Sequence, residues 1–200
     1  MGAARRASHS ASMPIRSPGS ARRTVLSAER MAAVVQWCAT NNVQLIADEI
    51  YHGITYAGPA TTVLAATRDA VLVNSFSKYF SMTGWRLGWM VLPQHLRDAV
   101  ERLQQNIYIC APHVSQVAGL AAFDATAELD GHVQRYASNR QLLTAGLAAA
   151  GITQVAAADG AFYVYADVTE LATEAGDSMA LCYQWLDGLG VAATPGLDFD

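Results

Sequence analysis

Apolar and polar residues alternate with two different periods along the chain, and these periods predict its secondary structure. Apolar residues spaced three and four apart favour an amphipathic helix over 28–41, and Ser27 before it is a suitable N-cap. The same spacing predicts further helices over 94–107, 113–125, 127–150 and 178–188. Short apolar or alternating runs predict strands at 43–47, 70–73, 87–92, 160–167 and 191–194. This order predicts an α/β fold, with a βαβ-type body whose sheet is covered on both faces, followed by a smaller α+β unit.

Composition and charge exclude several classes of protein. The 200 residues are 52% hydrophobic and 15% charged, which suits a globular domain with a buried core and excludes a disordered chain. The net charge of −4 is unevenly spread, since residues 1–23 hold five arginines and no acidic residue. Residues 24–200 therefore carry −9, and an acidic body argues against a nucleic-acid-binding surface.

The first 23 residues are rich in arginine, serine and alanine and contain no apolar run. We expect an unstructured basic leader there; a transit peptide and a segment read from a shifted frame are the alternatives. We find no stretch of sequence apolar and long enough to span a bilayer. The cysteines are odd in number and far apart, at Cys38, Cys110 and Cys182, which favours reduced, buried thiols in a cytoplasmic protein.

Reactive side chains collect after two of the predicted strands. Ligands bind at the carboxyl ends of strands in an open α/β sheet, so these side chains are candidate site residues. They are a carboxylate, a phenol, two hydroxyls, an amine and a guanidinium: Asp48, Tyr51, Ser75, Ser77, Lys78 and Arg86. Such a set suits a small, anionic, aromatic cofactor held by both its phosphate and its ring. Lys78 is the single lysine, and its amine, unlike a guanidinium, can lose its proton. The histidines show no metal-ligand spacing, so no metal site is expected.

Two stretches around these residues resemble class I and II aminotransferases, the pyridoxal-phosphate (PLP) enzymes of the aspartate aminotransferase fold, also called fold type I. They are residues 48–51 and 74–88, which read DEIY and NSFSKYFSMTGWRLG. Weaker similarity continues to residue 199. The resemblance implies part of a large PLP-binding domain at 24–127, followed by part of a smaller α+β C-terminal domain at 128–200.

The resemblance also implies a role for each candidate residue. Lys78 would form a Schiff base with pyridoxal 5′-phosphate and then shuttle a proton. Asp48 would pair with the pyridine nitrogen of the cofactor, and Tyr51 would donate a hydrogen bond to its ring oxygen. The remaining residues would hold the phosphate, and these are Ser75, Ser77 and Arg86.

The implied activity is transfer of an amino group between an amino acid and a 2-oxo acid by a cytoplasmic homodimer. Several features of the family have no counterpart in the sequence, among them a Gly-rich phosphate-binding turn and an arginine for the substrate carboxylate. We therefore expect a partial chain with impaired activity. The alternatives are a C–S lyase of the same fold and a non-catalytic remnant. Neither nucleic acid nor a membrane is an expected partner.

Overall fold

A four-stranded sheet brings the predicted strand ends together. The computed structural model describes residues 7–9 and 25–199. The strands lie in chain order: β1 (Ala7–His9), β2 (Leu45–Asp48), β3 (Val71–Ser75) and β4 (Gly88–Val91). β1, β2 and β3 are parallel, and β4 is antiparallel to β3. The strands predicted near 43–47, 70–73 and 87–92 are thus confirmed, and the carboxyl ends of β2 and β3 share one edge of the sheet.

The predicted helices are also present. The described residues contain α1 (Ala28–Thr40), α2 (Arg97–Ile107), α3 (His113–Ala122), α4 (Thr126–Ala149), α5 (Thr169–Ala175) and α6 (Ser178–Leu189). The Ser27 hydroxyl accepts a hydrogen bond from the N–H of Arg30 at 3.4 Å and caps α1, as predicted. α5 is not among the predicted helices, because its two turns are too short to display an apolar period.

A hydrophobic core joins α1 to the sheet. Its buried members are Cys38, Leu45, Ala47, Val63, Ala70 and Leu72. Met31, Val34 and Val35 pack against this cluster from one face of α1. Complete burial of one large aliphatic side chain stabilises a fold by about 1.5–3 kcal/mol, so this core holds β2 and β3 firmly side by side.

β4 differs from the expectation of a sheet covered on both faces. Trp89 is half-buried, but the other residues of β4 are exposed, with Met90 at 48% of its full exposure. Within residues 7–9 and 25–199, β4 pairs only with β3 and is an edge strand. At the start of β4 the backbones approach closely, since a Cβ on Gly88 would lie 2.8 Å from the carbonyl oxygen of Asn74. An apolar run therefore predicts a strand, but it does not say which neighbour covers it.

Two predicted strands are wrong. Residues 160–167 and 191–194 form no strand in the described part of the chain. The first segment makes only isolated bridges, at Thr55–Gly160 and Val155–Ala166. The second is exposed throughout. An alternating pattern indicates an extended backbone, but a strand also needs a neighbouring edge with free N–H and C=O groups.

The described residues form two compact units. One contains 7–9, 25–137 and 159–161; the other contains 138–158 and 162–199. Both this division and the expected boundary between 127 and 128 fall within the continuous helix α4. β1 lies inside the segment 1–23 that we expected to be unstructured, so this expectation differs from the structure at residues 7–9. The rest of that segment lies outside the described residues.

Two further expectations concern the burial of the cysteine thiols and membrane-spanning segments. Cys38 is buried, but Cys110 is exposed and Cys182 is half-buried, so the expectation of buried thiols is wrong for Cys110. Cys110 lies in the irregular connection between α2 and α3, which leaves its side chain open to solvent. Every helix in residues 25–199 is too short or too polar to cross a membrane.

Candidate functional site

The sheet topology brings the predicted site residues to one edge. Asp48 ends β2 and Ser75 ends β3. The two strands are in register with Asp48 beside Val73, and the N–H of Glu49 donates to the carbonyl of Val73 at 2.8 Å. The segments that follow the two strands therefore leave the sheet next to each other, as the sequence predicts.

A tight turn after β2 positions Tyr51. The Asp48 carboxylate accepts a hydrogen bond from the N–H of Ile50 at 3.0 Å, which reverses the chain at the strand end. The carbonyl of Tyr51 then accepts from the N–H of Ile54 at 3.0 Å. Burial raises the pKa of the Tyr51 hydroxyl, and the negative charge of Asp48 raises it further. Tyr51 therefore stays protonated near neutral pH and can donate a hydrogen bond.

Lys78 lies over the ring of Tyr51. The Nζ atom is 5.7 Å from the ring centroid, within the range of a cation–π contact. Both side chains are half-buried. The structure thus brings together two of the predicted site residues from different segments, one after β2 and one after β3.

Ser75 and Ser77 form a linked pair. Their hydroxyl oxygens are 2.9 Å apart, and the N–H of Ser77 donates to Ser75 Oγ at 3.0 Å. Ser75 Oγ also lies 3.1 Å from the carbonyl oxygen of Leu87. A hydroxyl has one proton, so when Ser75 donates to Ser77, the Ser77 proton is free to turn toward an anion. The pair is therefore suited to phosphate.

Arg86 belongs to the same folded turn as the serines. Its backbone is left-handed, with φ of 52°, and its Nη1 donates to the carbonyl of Thr83 at 3.1 Å. Thr83 in turn donates through its hydroxyl to the carbonyl of Ser77 at 2.6 Å. The guanidinium is exposed. These contacts fold the chain between Ser77 and Arg86 back on itself. The planar guanidinium of Arg86 has paired N–H donors whose spacing matches the oxygens of a phosphate.

Two residues that support this turn have no signal in the sequence. Ser115, at 3% exposure, donates from its hydroxyl to the carbonyl of Trp85 at 2.8 Å. The Tyr108 hydroxyl donates to the carbonyl of Arg86 at 3.4 Å. Tyr108 directly follows α2, and Ser115 lies in α3. The apolar period of a helix predicts which of its faces is packed, but it does not predict a polar contact with a distant turn.

Glu49 is buried beside the site. Its carboxylate accepts from the N–H of Val63 at 2.7 Å and from the Thr62 hydroxyl at 3.0 Å, and His52 Nδ1 lies 3.0 Å away. Burial alone would raise its pKa, but these hydrogen bonds and the charge of His52 outweigh burial and lower it. Glu49 therefore stays ionised and ties the segment after β2 to the turn before β3.

Comparison with known proteins identifies the family of the chain. The family model described as "Aminotransferase class I and II" matches residues 5–200. The chain belongs to this family. The resemblance seen in the sequence is thereby confirmed, and the match begins inside the segment expected to be a leader.

Similar proteins of this family show how much of their length this chain covers. A valine–pyruvate aminotransferase of Mycobacterium tuberculosis is 50% identical over 190 residues, which are 93% of this chain and 48% of the relative. A crystal structure of an aminotransferase from the same species has a TM-score of 0.83 at 50% identity, over 88% of this chain and 46% of that one. Aspartate aminotransferase from Thermotoga maritima has a TM-score of 0.79 at 28% identity, over 92% and 47%. The predicted fold class, a partial fold-type-I aminotransferase, is confirmed, and the chain spans about half the length of the curated relatives it matches.

The candidate residues fit the cofactor on which this family depends. PLP carries a pyridine nitrogen, a ring oxygen, an aldehyde and a phosphate. The site offers a carboxylate at Asp48, a protonated phenol at Tyr51 and an amine over that phenol. It also offers the linked hydroxyls of Ser75 and Ser77 for an anion. Each kind of group on PLP thus has a chemically matched partner among these residues.

Proposed function

We propose that the chain is the part of a PLP-dependent aminotransferase that binds the cofactor through Lys78. The observation that carries this proposal is the Lys78 amine, 5.7 Å from the centre of the Tyr51 ring at the carboxyl edge of the sheet. Membership of the aminotransferase class I and II family supports it. When bound, PLP supplies an electron-withdrawing ring that stabilises negative charge at the substrate Cα.

Three of the residues would bind the cofactor ring or transfer the proton of the substrate Cα. Lys78 Nζ attaches the cofactor and, when free, holds and moves the proton of the substrate Cα. Tyr51 would donate a hydrogen bond to the ring oxygen of PLP, because its raised pKa keeps its proton in place. Asp48 would accept a hydrogen bond from the pyridine N–H of PLP, and its negative charge would keep that nitrogen protonated.

The other three residues hold the phosphate. Ser77 donates from its hydroxyl while Ser75 orients it at 2.9 Å, and Ser75 itself is held by the N–H of Ser77 at 3.0 Å. Arg86 contributes a positive charge and a planar fork of N–H donors. An anion bound here would thus be held by the charge of Arg86 and by the hydroxyl of Ser77 at the same time, which would fix its orientation as well as its position.

The proposal extends to domains and partners. The unit containing 25–137 would be part of the large cofactor-binding domain, and the unit containing 162–199 part of the small domain. The substrates would be an amino acid and a 2-oxo acid, with valine and pyruvate as the first pair to test, since a relative at 50% identity is named for them. We also propose a homodimer in the cytoplasm, with impaired activity when only this half of the family fold is present.

Transfer of the amino group tests this function directly. The purified chain is mixed with PLP and valine, and the 2-oxo acid formed from valine is measured. Pyruvate is then added, and alanine is measured. We expect about one equivalent of oxo acid per chain, since one cofactor accepts one amino group, and alanine only after pyruvate is added. Lys78→Arg is the control, because it keeps the charge but cannot attach the cofactor. Equal product from the control and the unaltered chain would contradict the proposal.

A C–S lyase shares the candidate residues but receives no separate support. The relatives named above are aminotransferases. Ammonia and pyruvate formed from cystathionine, with no amino transfer to pyruvate, would favour the lyase instead.

A further inference from the structure

Tyr79 connects the two segments that carry the candidate site. It follows Lys78 directly in the chain, and its ring lies against Gly53, two residues after Tyr51. Its hydroxyl donates to Oδ1 of Asp130, in α4, at 2.7 Å. One side chain from the turn that holds Lys78 thus contacts both the turn that holds Tyr51 and a helix.

The contact with Gly53 leaves no room for a larger residue. A Cβ on Gly53 would lie 2.7 Å from Cδ2 and 2.8 Å from Cγ of the Tyr79 ring. The backbone of Gly53 is also left-handed, with φ of +93°, a conformation that favours glycine. The ring therefore rests on bare backbone, and its position sets how closely the two turns approach.

The contact with Asp130 fixes the other end of the side chain. The pKa of the Tyr79 hydroxyl is raised to about 12 by three effects: its burial, its hydrogen bond to Asp130 and the negative charge of Asp130. The hydroxyl is therefore a donor throughout the neutral range. A second contact joins the same turn to the same helix, since Ser81 Oγ and His132 Nδ1 are 3.2 Å apart. The turn after Lys78 is thus held to α4 at two points.

We infer that Tyr79 is a positioning residue, which holds Lys78 at its place over Tyr51 through its ring contact with Gly53 and its hydrogen bond to Asp130. The inference rests on the proposed function, because it concerns the placement of the lysine that would attach PLP. Nothing in the motif that identifies the family assigns Tyr79 this task. The inference follows from two contacts of one side chain, with residues 26 and 51 positions away in the sequence.

Chemical trapping of the single lysine measures this placement. Each variant is incubated with PLP and borohydride, and separately with acetaldehyde and borohydride; the rate of Lys78 modification is measured by peptide mass spectrometry. Acetaldehyde reports the intrinsic reactivity of the amine, and PLP reports its placement in the site. For Tyr79→Phe we expect the PLP rate to fall by about tenfold, since small misplacements near a reacting group cost factors of this size or more. The acetaldehyde rate should stay within about twofold of the unaltered chain.

Three further variants separate positioning from general loss of structure. Asp130→Ala should reproduce the effect of Tyr79→Phe, whereas Asp130→Asn keeps an acceptor oxygen and should restore most of the PLP rate. Tyr183→Phe is the matched control, the same change at a tyrosine with 60% exposure. A Tyr79→Phe chain with an unchanged ratio of PLP to acetaldehyde rates would overturn the inference.

Hydrogen exchange without cofactor distinguishes this inference from the proposed function. The N–H of Ile54 donates to Tyr51 and that of Ser81 donates to Lys78, so both amides report on the two turns. We expect Tyr79→Phe to speed exchange at both amides and Tyr183→Phe at neither. If PLP fails to modify Lys78 in the unaltered chain while exchange still rises in Tyr79→Phe, the proposed function is wrong and the positioning role stands. Unchanged exchange in Tyr79→Phe would overturn the positioning role.

Discussion

The buried carboxylate of Glu49 accepts a hydrogen bond from the N–H of Val63 at 2.7 Å, and this contact closes the segment between β2 and β3. Val63 is itself fully buried and belongs to the core that holds the two strands. The segment in between contains Tyr51, so the contact stabilises both the fold and one wall of the candidate site.

Loss of this carboxylate should destabilise the chain. In Glu49→Ala the buried N–H of Val63 loses its acceptor, and we expect the free energy of unfolding to fall by about 3 kcal/mol. Glu49→Gln retains one oxygen acceptor, and we expect a loss of about 1 kcal/mol. Urea denaturation measures both values. Equal stability of Glu49→Ala and the unaltered chain would contradict the structural role of this contact.

The same carboxylate should make stability depend on pH. The pKa of Glu49 in the folded chain lies below its ordinary value of 4.5. The unfolded chain therefore binds more protons in that range, so stability increases with pH there. We expect the contribution of Glu49 to be complete above about pH 4.5 and to disappear as the pH falls through the lower, folded value. Urea denaturation between pH 3 and 6 should show a weaker pH dependence for Glu49→Gln; an unchanged slope would count against the assignment.

Ser115 should stabilise the turn that carries Arg86. Its hydroxyl donates to the carbonyl of Trp85 in a buried setting, so Ser115→Ala leaves that carbonyl without this donor. We expect a loss of about 1–2 kcal/mol in the free energy of unfolding. His113→Ala, at an exposed position of the same helix, should change it by less than about 0.5 kcal/mol. Similar effects from both variants would show that the hydroxyl contact has no special weight.

Substitution of Arg86 should weaken binding of the cofactor phosphate but not binding of its ring. We expect Arg86→Gln to weaken PLP binding by about tenfold or more, because one charge-assisted contact to the phosphate is lost. Binding of pyridoxal, which lacks the phosphate, should change little. Glutamine is preferable to lysine here because it leaves Lys78 as the only lysine. Absorbance titrations with both ligands provide the comparison, and an equal loss for PLP and pyridoxal would remove Arg86 from the phosphate site.

The helices and the site edge could be predicted because their causes are local. The apolar period of α1 and its cap at Ser27 lie within one stretch of sequence, and the structure confirms both. The strand ends at Asp48 and Ser75 likewise follow from apolar runs that stop at polar residues. Parallel pairing then brings them to the same edge.

Long-range contacts could not be predicted in this way. Tyr79 and Asp130 are 51 residues apart, and Ser115 and Trp85 are 30 apart. Neither pair has a spacing that a helix or strand period would reveal. The exposure of β4 has the same origin, because burial depends on a neighbour that the period of the strand itself does not specify.

Attachment of PLP to Lys78 is the most direct test of the account. The chain is incubated with PLP, reduced with borohydride, digested and examined by peptide mass spectrometry, with Lys78→Ala treated in parallel. Because Lys78 is the only lysine, a modified side chain has one expected position. We predict one modified side chain, in the peptide that contains Lys78, and no modified side chain in the Lys78→Ala sample. An unaltered chain that carries no PLP at Lys78 under saturating cofactor would contradict the claim that this site binds it.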